Sequence, residues 1–504
     1  MKRRDFLIGG AAAAGAALLP NRAWGAWGEA PPTTPKDLLF GAGVRAERCL
    51  ELYLYGGLAS FHTFYAVDEY GRSNDADPAL RNTQFHAFDD DKRSVWGNDC
   101  GEDPSTWLTP FGTDSLGMTV NFTPVIRPLL DRPDILSRCR VVVLRHDFQP
   151  HEIAIPYMMT GQRLGSPRMA GLGTHVQRYW NERDTSGRVV PYSYVFSPEG
   201  ASPIYNIAAA SAVGAHPGSS RPLHLFTSAN TDIGELIGRR YLGDDITRVD
   251  PLLDYYAKRS TTRYADAQGT ALRSRAIEDH QFSIASLINA PNLQDILTPE
   301  LFTVGSSNTC GLSNASDVSK MTIDAGISLL THPTTPAKYV NVVDGGNVFY
   351  GDLPYDTHSS QIDTITKNLR HSLRALAARI NEPGENDPTK LDLDDTMVLI
   401  NAEFGRTAIP QGGDVAGGGG NHFPFGFVAL MIGGPATSGV YGAIGPDGYS
   451  VDYLTPSEYR AAALAALGIY PFSAQSFAVG DIRNVATEAD ALAWLNTVAL
   501  GRSS

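Results

Sequence analysis

Short apolar runs closed by glycine or polar residues recur along the chain, at 49–55, 140–144, 339–343, 397–401 and 427–432. Mostly apolar runs of so short a length mark strands covered on both faces, the usual condition in a parallel sheet. Stretches of helical period fall between these runs. The clearest is Ile362, Ile365, Leu369, Leu373, Leu376 and Ile380, whose spacing puts all six on one helix face. Weaker patterns cover 271–288 and 457–467. The alternation predicts an α/β fold, with helices on both faces of a mostly parallel central sheet. Segment 245–320 reads as helix and loop, a cap or insertion. No internal repeat is present, and 417–420 is the only low-complexity tract.

The first residues follow a different pattern. Lys2-Arg3-Arg4-Asp5-Phe6-Leu7 opens an apolar stretch over 6–19 that ends in the small residues around Ala23-Trp24-Gly25-Ala26. A basic start, a short apolar middle and a small-residue end form an export leader, too short to span a bilayer. The paired arginines before Phe-Leu resemble the twin-arginine signal, although Lys2 stands where Ser or Thr is common and Ile8 where Lys is common. The expected organisation is a leader over 1–25, an exposed lead-in over 26–40 and one large α/β domain over 41–504. The implied location is the periplasm or outside the cell, with the twin-arginine translocase as a transient partner.

Composition narrows the choice of ligands. The 504 residues carry a net charge of −13, and 42% are hydrophobic. So acidic a globular chain, with no basic run, disfavours nucleic acid. Four cysteines are too few for a disulfide scaffold. If one bridge forms, Cys100 and Cys310 are the better pair, because both sit in polar, glycine-containing loops.

In open α/β sheets the chemistry gathers just beyond the carboxyl ends of strands. After 49–55 comes Gly56-Gly57-Leu58-Ala59-Ser60-Phe61-His62-Thr63. Its hydroxyls, Ser60 and Thr63, are candidate nucleophiles, or alternatively turn caps. After 140–144 comes His146-Asp147-Phe148-Gln149-Pro150-His151-Glu152, with His151 a candidate metal ligand. Asp356 and His358 lie two apart in a loop before the amphipathic helix, a spacing that suits a metal or an Asp-oriented histidine. Glu403 follows 397–401, where a carboxylate needs a partner, and Arg406 is available as that partner or as a bidentate holder of an anionic oxygen. His422 follows the glycine run. His and carboxylate together suit Zn or Mn.

Together these segments resemble one family, a group of twin-arginine-exported proteins called domain of unknown function 1501, in the alkaline phosphatase and sulfatase superfamily. The carriers are Gly56-Gly57, His151 with Met159-Thr160-Gly161, Asp356-Thr357-His358, Glu403-Phe404-Gly405-Arg406-Thr407, and His422 followed by Gly433-Gly434 and Gly439-Val440-Tyr441-Gly442. The resemblance implies an alkaline-phosphatase-like fold and a divalent-metal hydrolase of phosphate or sulfate esters, on an anionic small molecule or polysaccharide. Asp356, His358, Glu403, His422 and His151 would be metal ligands, with Arg406 and Thr63 catalytic. Relatives carry Gly-Gly-x-Asp-Gly after the first strand and Asp-His after the glycine loop, where this chain has Ala59 and Asn421. Two carboxylates are therefore absent, which implies a reduced metal site. The Cys-x-Pro-x-Arg string of formylglycine sulfatases is absent too. The alternative expectation is a non-catalytic periplasmic binding or envelope assembly protein on the same fold.

Overall fold

The computed structural model describes residues 44–71, 93–166, 168–183, 191–198, 222–227, 296–308, 315–346, 354–411, 419–473 and 476–502, with a few further positions. The leader 1–25, nearly all of the lead-in 26–40, the helical pattern at 271–288 and most of 245–320 lie outside the described residues.

The centre of the molecule is an eight-stranded sheet. Its strands in chain order are β1 (Arg48–Leu54), β2 (Cys139–Leu144), β3 (Ser193–Pro198), β4 (Leu223–Thr227), β5 (Tyr339–Asp344), β6 (Thr396–Asn401), β7 (Phe427–Gly433) and β8 (Gly439–Tyr441). Across the sheet they run β8-β2-β7-β6-β1-β5-β3-β4. β1 lies between β6 and β5, parallel to both, with Cys49 opposite Met397 on one side and Tyr339 on the other.

One expected parallel strand is reversed. β7 runs antiparallel to both β6 and β2. Between β6 and β7 the described chain forms only a hairpin, Gly405–Pro410 against Gly420–Phe423. A parallel return would need a crossover, usually a helix. The remaining neighbours pair parallel, so the sheet is mostly parallel as expected.

Alternation along each strand divides the apolar side chains between two cores. Leu50, Leu52 and Leu54 of β1 join Val141, Val143, Val398 and Ile400 on one face, under α3 (Val318–Leu330) and α4 (Gln361–Ala378). Cys49, Tyr53 and Tyr55 join Val142, Leu144 and Leu399 on the other. That face is covered by α1 (His151–Thr160), α2 (Leu172–Asn181) and α5 (Pro456–Ala466). Helices therefore cover both faces. Five of the six residues in the stripe read from the sequence form the buried side of α4, with Ile365, Leu369, Leu373 and Leu376 all at 0% exposure, and Ile380 follows the helix end. α5 starts at a capping box, Thr455 with Glu458, which fixes the start of the helix read from 457–467.

One charged cluster interrupts the second core. Glu51 is fully buried and pairs with Arg460 of α5 at 2.7 Å. It also accepts hydrogen bonds from Asn401 at 2.9 Å and from the Tyr339 hydroxyl. No described helix is long and apolar enough to cross a membrane.

Cys100 and Cys310 form a disulfide, whereas Cys49 and Cys139 are free and buried in the sheet. The bridge closes a loop 210 residues long in sequence separation. Closing so long a loop restricts the unfolded chain strongly. Reduction is expected to lower unfolding stability by about 2–4 kcal/mol. Denaturant titrations with and without reductant check this; coincident midpoints would show that the bridge adds nothing.

Candidate metal centre

The site sits beyond the carboxyl ends of β1, β2 and β6, and each of its side chains is delivered by a local device. β1 runs into Gly56, whose φ of 118° is open to glycine. A Cβ there would lie 2.2 Å from the Asp356 backbone nitrogen, so no side chain fits between the two segments. β2 leads to Pro150, whose extended backbone precedes α1 and makes His151 the first helical residue. Ala154, Ile155, Met158 and Met159 bury the helix against the sheet, which carries His151 into the interior at 6% exposure. Asp356 and His358 occupy the loop before α4. Gly419 packs over that loop; a Cβ on it would lie 2.1 Å from the Thr357 carbonyl. His422 lies in the hairpin strand that pairs opposite Arg406.

Three imidazoles converge on one carboxylate. His151 Nε2 lies 3.3 Å from Asp356 Oδ2, while His358 Nε2 and His422 Nε2 lie 3.1 and 3.2 Å from Oδ1. The opposite nitrogen of each ring is engaged. His151 Nδ1 lies 2.8 Å from Glu403 Oε1, His358 Nδ1 2.7 Å from Gln411 Oε1, and His422 Nδ1 3.0 Å from the Gln149 carbonyl. Those oxygens only accept, so each Nδ1 carries a proton. In a neutral ring Nε2 then presents a lone pair, and all three lone pairs face a carboxylate. Like charge density at that range is repulsive unless positive charge stands between the groups. A proton can provide it, and so can a metal ion.

The donor set fits the second choice. His151, Asp356 and His422 each offer a ligand atom, and the three atoms lie within 4.8 Å of one another. Ligands held at about 2.0–2.1 Å from a tetrahedral Zn are roughly 3.3 Å apart. Each of the two imidazoles stands near that spacing from a different oxygen of the carboxylate, His151 Nε2 3.3 Å from Oδ2 and His422 Nε2 3.2 Å from Oδ1. An imidazole whose far nitrogen is fixed by a carboxylate or carbonyl is the usual second shell of a metal ligand. His151 Nε2 is buried and makes no hydrogen bond of its own.

Without a metal, protons take up the repulsion. Burial disfavours charge on His151, but Asp356 and Glu403 outweigh it and push the imidazole up to about 9. Burial would raise Asp356, yet His151, His422 and Arg406 hold its carboxyl far below the ordinary carboxylate range.

Four of the expected roles change in this geometry. Glu403 is fully buried behind His151 and accepts from the Gly56 N–H at 2.9 Å, so it orients a ligand rather than joining the set. Arg406 cannot hold a substrate anion. It is 2% exposed, and its guanidinium donates to the carbonyls of Gly57 at 3.3 Å, Gly420 at 3.1 Å and Tyr355 at 3.2 Å, as well as to the Gly56 carbonyl and Asp356 Oδ1. Thr63 is no nucleophile, because its buried hydroxyl donates to the Ala59 and Ser60 carbonyls at 3.0 and 3.3 Å. Ser60 instead accepts from the Val428 N–H at 3.1 Å. His358 reaches Asp356 from the outer side and is not in the close trio.

Two residues had drawn little or no attention in the sequence. His146 is a pin: its Nδ1 accepts from the Phe148 N–H at 3.1 Å and its Nε2 lies 2.6 Å from the Glu403 carbonyl. Burial pulls it down to about 4, so it stays neutral. Gln411 orients His358, and no spacing pattern in the sequence pointed to it.

The family model described as "Protein of unknown function (DUF1501)" matches residues 334–486. The match supports the family resemblance and spans Asp356, His358, Glu403, Arg406 and His422, but not Gly56 or His151. No curated protein matches the chain.

The electrostatics set a direction with pH. His151 is raised in the folded state, so its contribution is complete below the ordinary histidine value near 6.5 and is lost as pH rises through 9. Metal-free protein is therefore expected to lose on the order of 3 kcal/mol of stability over that window. Asp356→Asn should flatten the profile, and urea unfolding at stepped pH measures it. Arg406→Met, which strands the Asp356 charge, is expected to cost about 3–5 kcal/mol in the same assay.

Proposed function

We propose that this chain is an exported protein of alkaline-phosphatase-like architecture that holds one divalent cation, Zn or Mn, on His151, Asp356 and His422. In this reading it hydrolyses phosphate or sulfate esters. The observation that carries the reading is the trio of imidazoles, each with Nδ1 tied to an acceptor and Nε2 turned to one carboxylate. A cation held there supplies Lewis-acid polarisation of an ester oxygen. The chain's own part is to fix the ligands. Glu403 sets the His151 ring, Arg406 clamps Asp356, and Gly56 admits the backbone between them.

The Cys100–Cys310 disulfide supports export, since such bonds persist in oxidising compartments. Ala59 and Asn421, in place of the family's aspartates, favour one ion over two. A second reading has its own support. The hydroxyls of Ser60, Thr63 and Thr357 are all bonded elsewhere, Thr357 to Gln361 at 3.2 Å. That pattern suits a cation-dependent binding or envelope assembly protein without a nucleophile.

Metal content by mass spectrometry, on protein purified from the periplasm without chelator, is the first test. About one ion per chain is expected, lost in Asp356→Ala and in His422→Ala. Zinc titrated into apo-protein near pH 7.5 should release about one proton per ion, because it displaces the His151 proton. Hydrolysis of 4-nitrophenyl phosphate or sulfate by the loaded protein, absent from Asp356→Ala, would support the hydrolase; bound metal with no turnover would favour the binding protein. Arg3→Lys with Arg4→Lys is expected to leave the chain in the cytoplasm, as fractionation would show.

A further inference from the structure

A second polar site lies at the other end of α4. The helix begins at Gln361 beside the metal centre, and Arg374 is about 20 Å further along its axis at 1.5 Å rise per residue. There the chain around Arg127–Leu130 and the last turns of α4 frame an open cleft of about 280 Å³. It is lined by Arg127, Asp131, Arg132, Arg370, Arg374 and Ala377. Four arginines meeting in one cleft is unexpected in a chain of net charge −13.

The four are not equivalent. Arg132 is committed to Asp134 at 2.7 Å and to the Ala377 and Ile380 carbonyls at 3.0 and 3.3 Å, where it closes the helix end. Arg127 and Arg370 share a single carboxylate, Glu102, at 2.9 and 2.5 Å. Arg370 is 8% exposed and its buried Nε has no hydrogen-bond partner. Arg374 is half-buried and forms no ion pair or hydrogen bond among the described residues. Arg370 stands one turn before it, a like-charge pair that destabilises a helix. Burial and Arg370 pull the Arg374 guanidinium down, while Asp317 acts weakly in the other direction. Burying a cation without a counter-charge is costly, and here one carboxylate serves two guanidiniums while a third has none.

We propose that this cleft binds a small oxyanion bearing more than one phosphate- or sulfate-type charge, with Arg374 as its principal contact and Arg127 and Arg370 alongside. Guanidinium is the side chain suited to such groups, because its planar fork matches their oxygens. The volume approaches the roughly 300 Å³ at which small-molecule sites begin, more than one tetrahedral anion needs. Asp131, exposed at the rim, sets the orientation by repelling anionic groups towards α4. The site is separate from the metal centre and does not depend on how that centre functions.

Inorganic pyrophosphate is the probe, titrated calorimetrically into metal-free full-length protein and into Asp356→Asn. One saturable site is expected in both, weakened at least tenfold by Arg374→Gln, partly retained by Arg374→Lys, and weakened by added salt. Absence of saturable binding would overturn the proposal. So would affinity unchanged in Arg374→Gln, or binding that disappears in Asp356→Asn and therefore belongs to the metal centre. If Arg374→Gln lowers the melting temperature without changing the pyrophosphate affinity, the arginine serves only the helix end. Circular dichroism of each variant separates lost binding from lost fold.

Discussion

The carboxyl edge of the sheet is organised around one buried negative charge, the carboxylate of Asp356. Arg406 neutralises it from beneath while spanning the Gly56, Gly57, Tyr355 and Gly420 carbonyls. Three segments, at 56–57, 355–356 and the facing hairpin strand at 420, thus meet on one guanidinium. Without that cation the aspartate would be an uncompensated interior charge, and the three histidines would have nothing to converge on. With it, the carboxylate remains ionised and able to share a metal. The support and the candidate ligands are separate layers: Arg406 holds Asp356 and Glu403 holds His151.

Much of the architecture was legible because buried strands and an amphipathic helix leave plain periodic marks. The five apolar runs are β1, β2, β5, β6 and β7, and the stripe from Ile362 to Leu376 is the inner side of α4. β3, β4 and β8 were missed. In β3 the apolar Tyr194-Val195-Phe196 is bounded by serines, and β8 is three residues long, so neither stands out from loop sequence. The direction of β7 could not be read from its own residues, which are as apolar as those of a parallel strand. It was set by the connection before it.

At the site, identity was legible and role was not. Asp356, His422 and His151 could be named from their positions after strands. What separates Glu403 from a ligand is depth behind an imidazole, and what disqualifies Arg406 and Thr63 is the direction of their hydrogen bonds. The Thr63 hydroxyl bonds back within its own turn, whereas for Glu403 and Arg406 these facts arise from contacts between segments distant in sequence, which no local spacing encodes. The arginine cleft was invisible for the same reason, since Arg127 and Arg374 meet only through folding. The Glu51–Arg460 pair shows the opposite case, a charge pair sealed in the second core, with Asn401 and Tyr339 donating to the carboxylate.

The cross-link between Cys100 and Cys310 has a consequence for the order in which the molecule is made. Its second sulfur belongs to a residue more than halfway along the chain, and the strands that flank β1 on either side, β5 and β6, come later still. While a ribosome is still reading the first half, β1 has neither of its lateral neighbours and Cys100 lacks its native partner. The centre of the sheet is therefore assembled last from its first piece. Until the final third emerges, the nascent polypeptide carries an unpaired apolar ribbon that must be shielded from its neighbours.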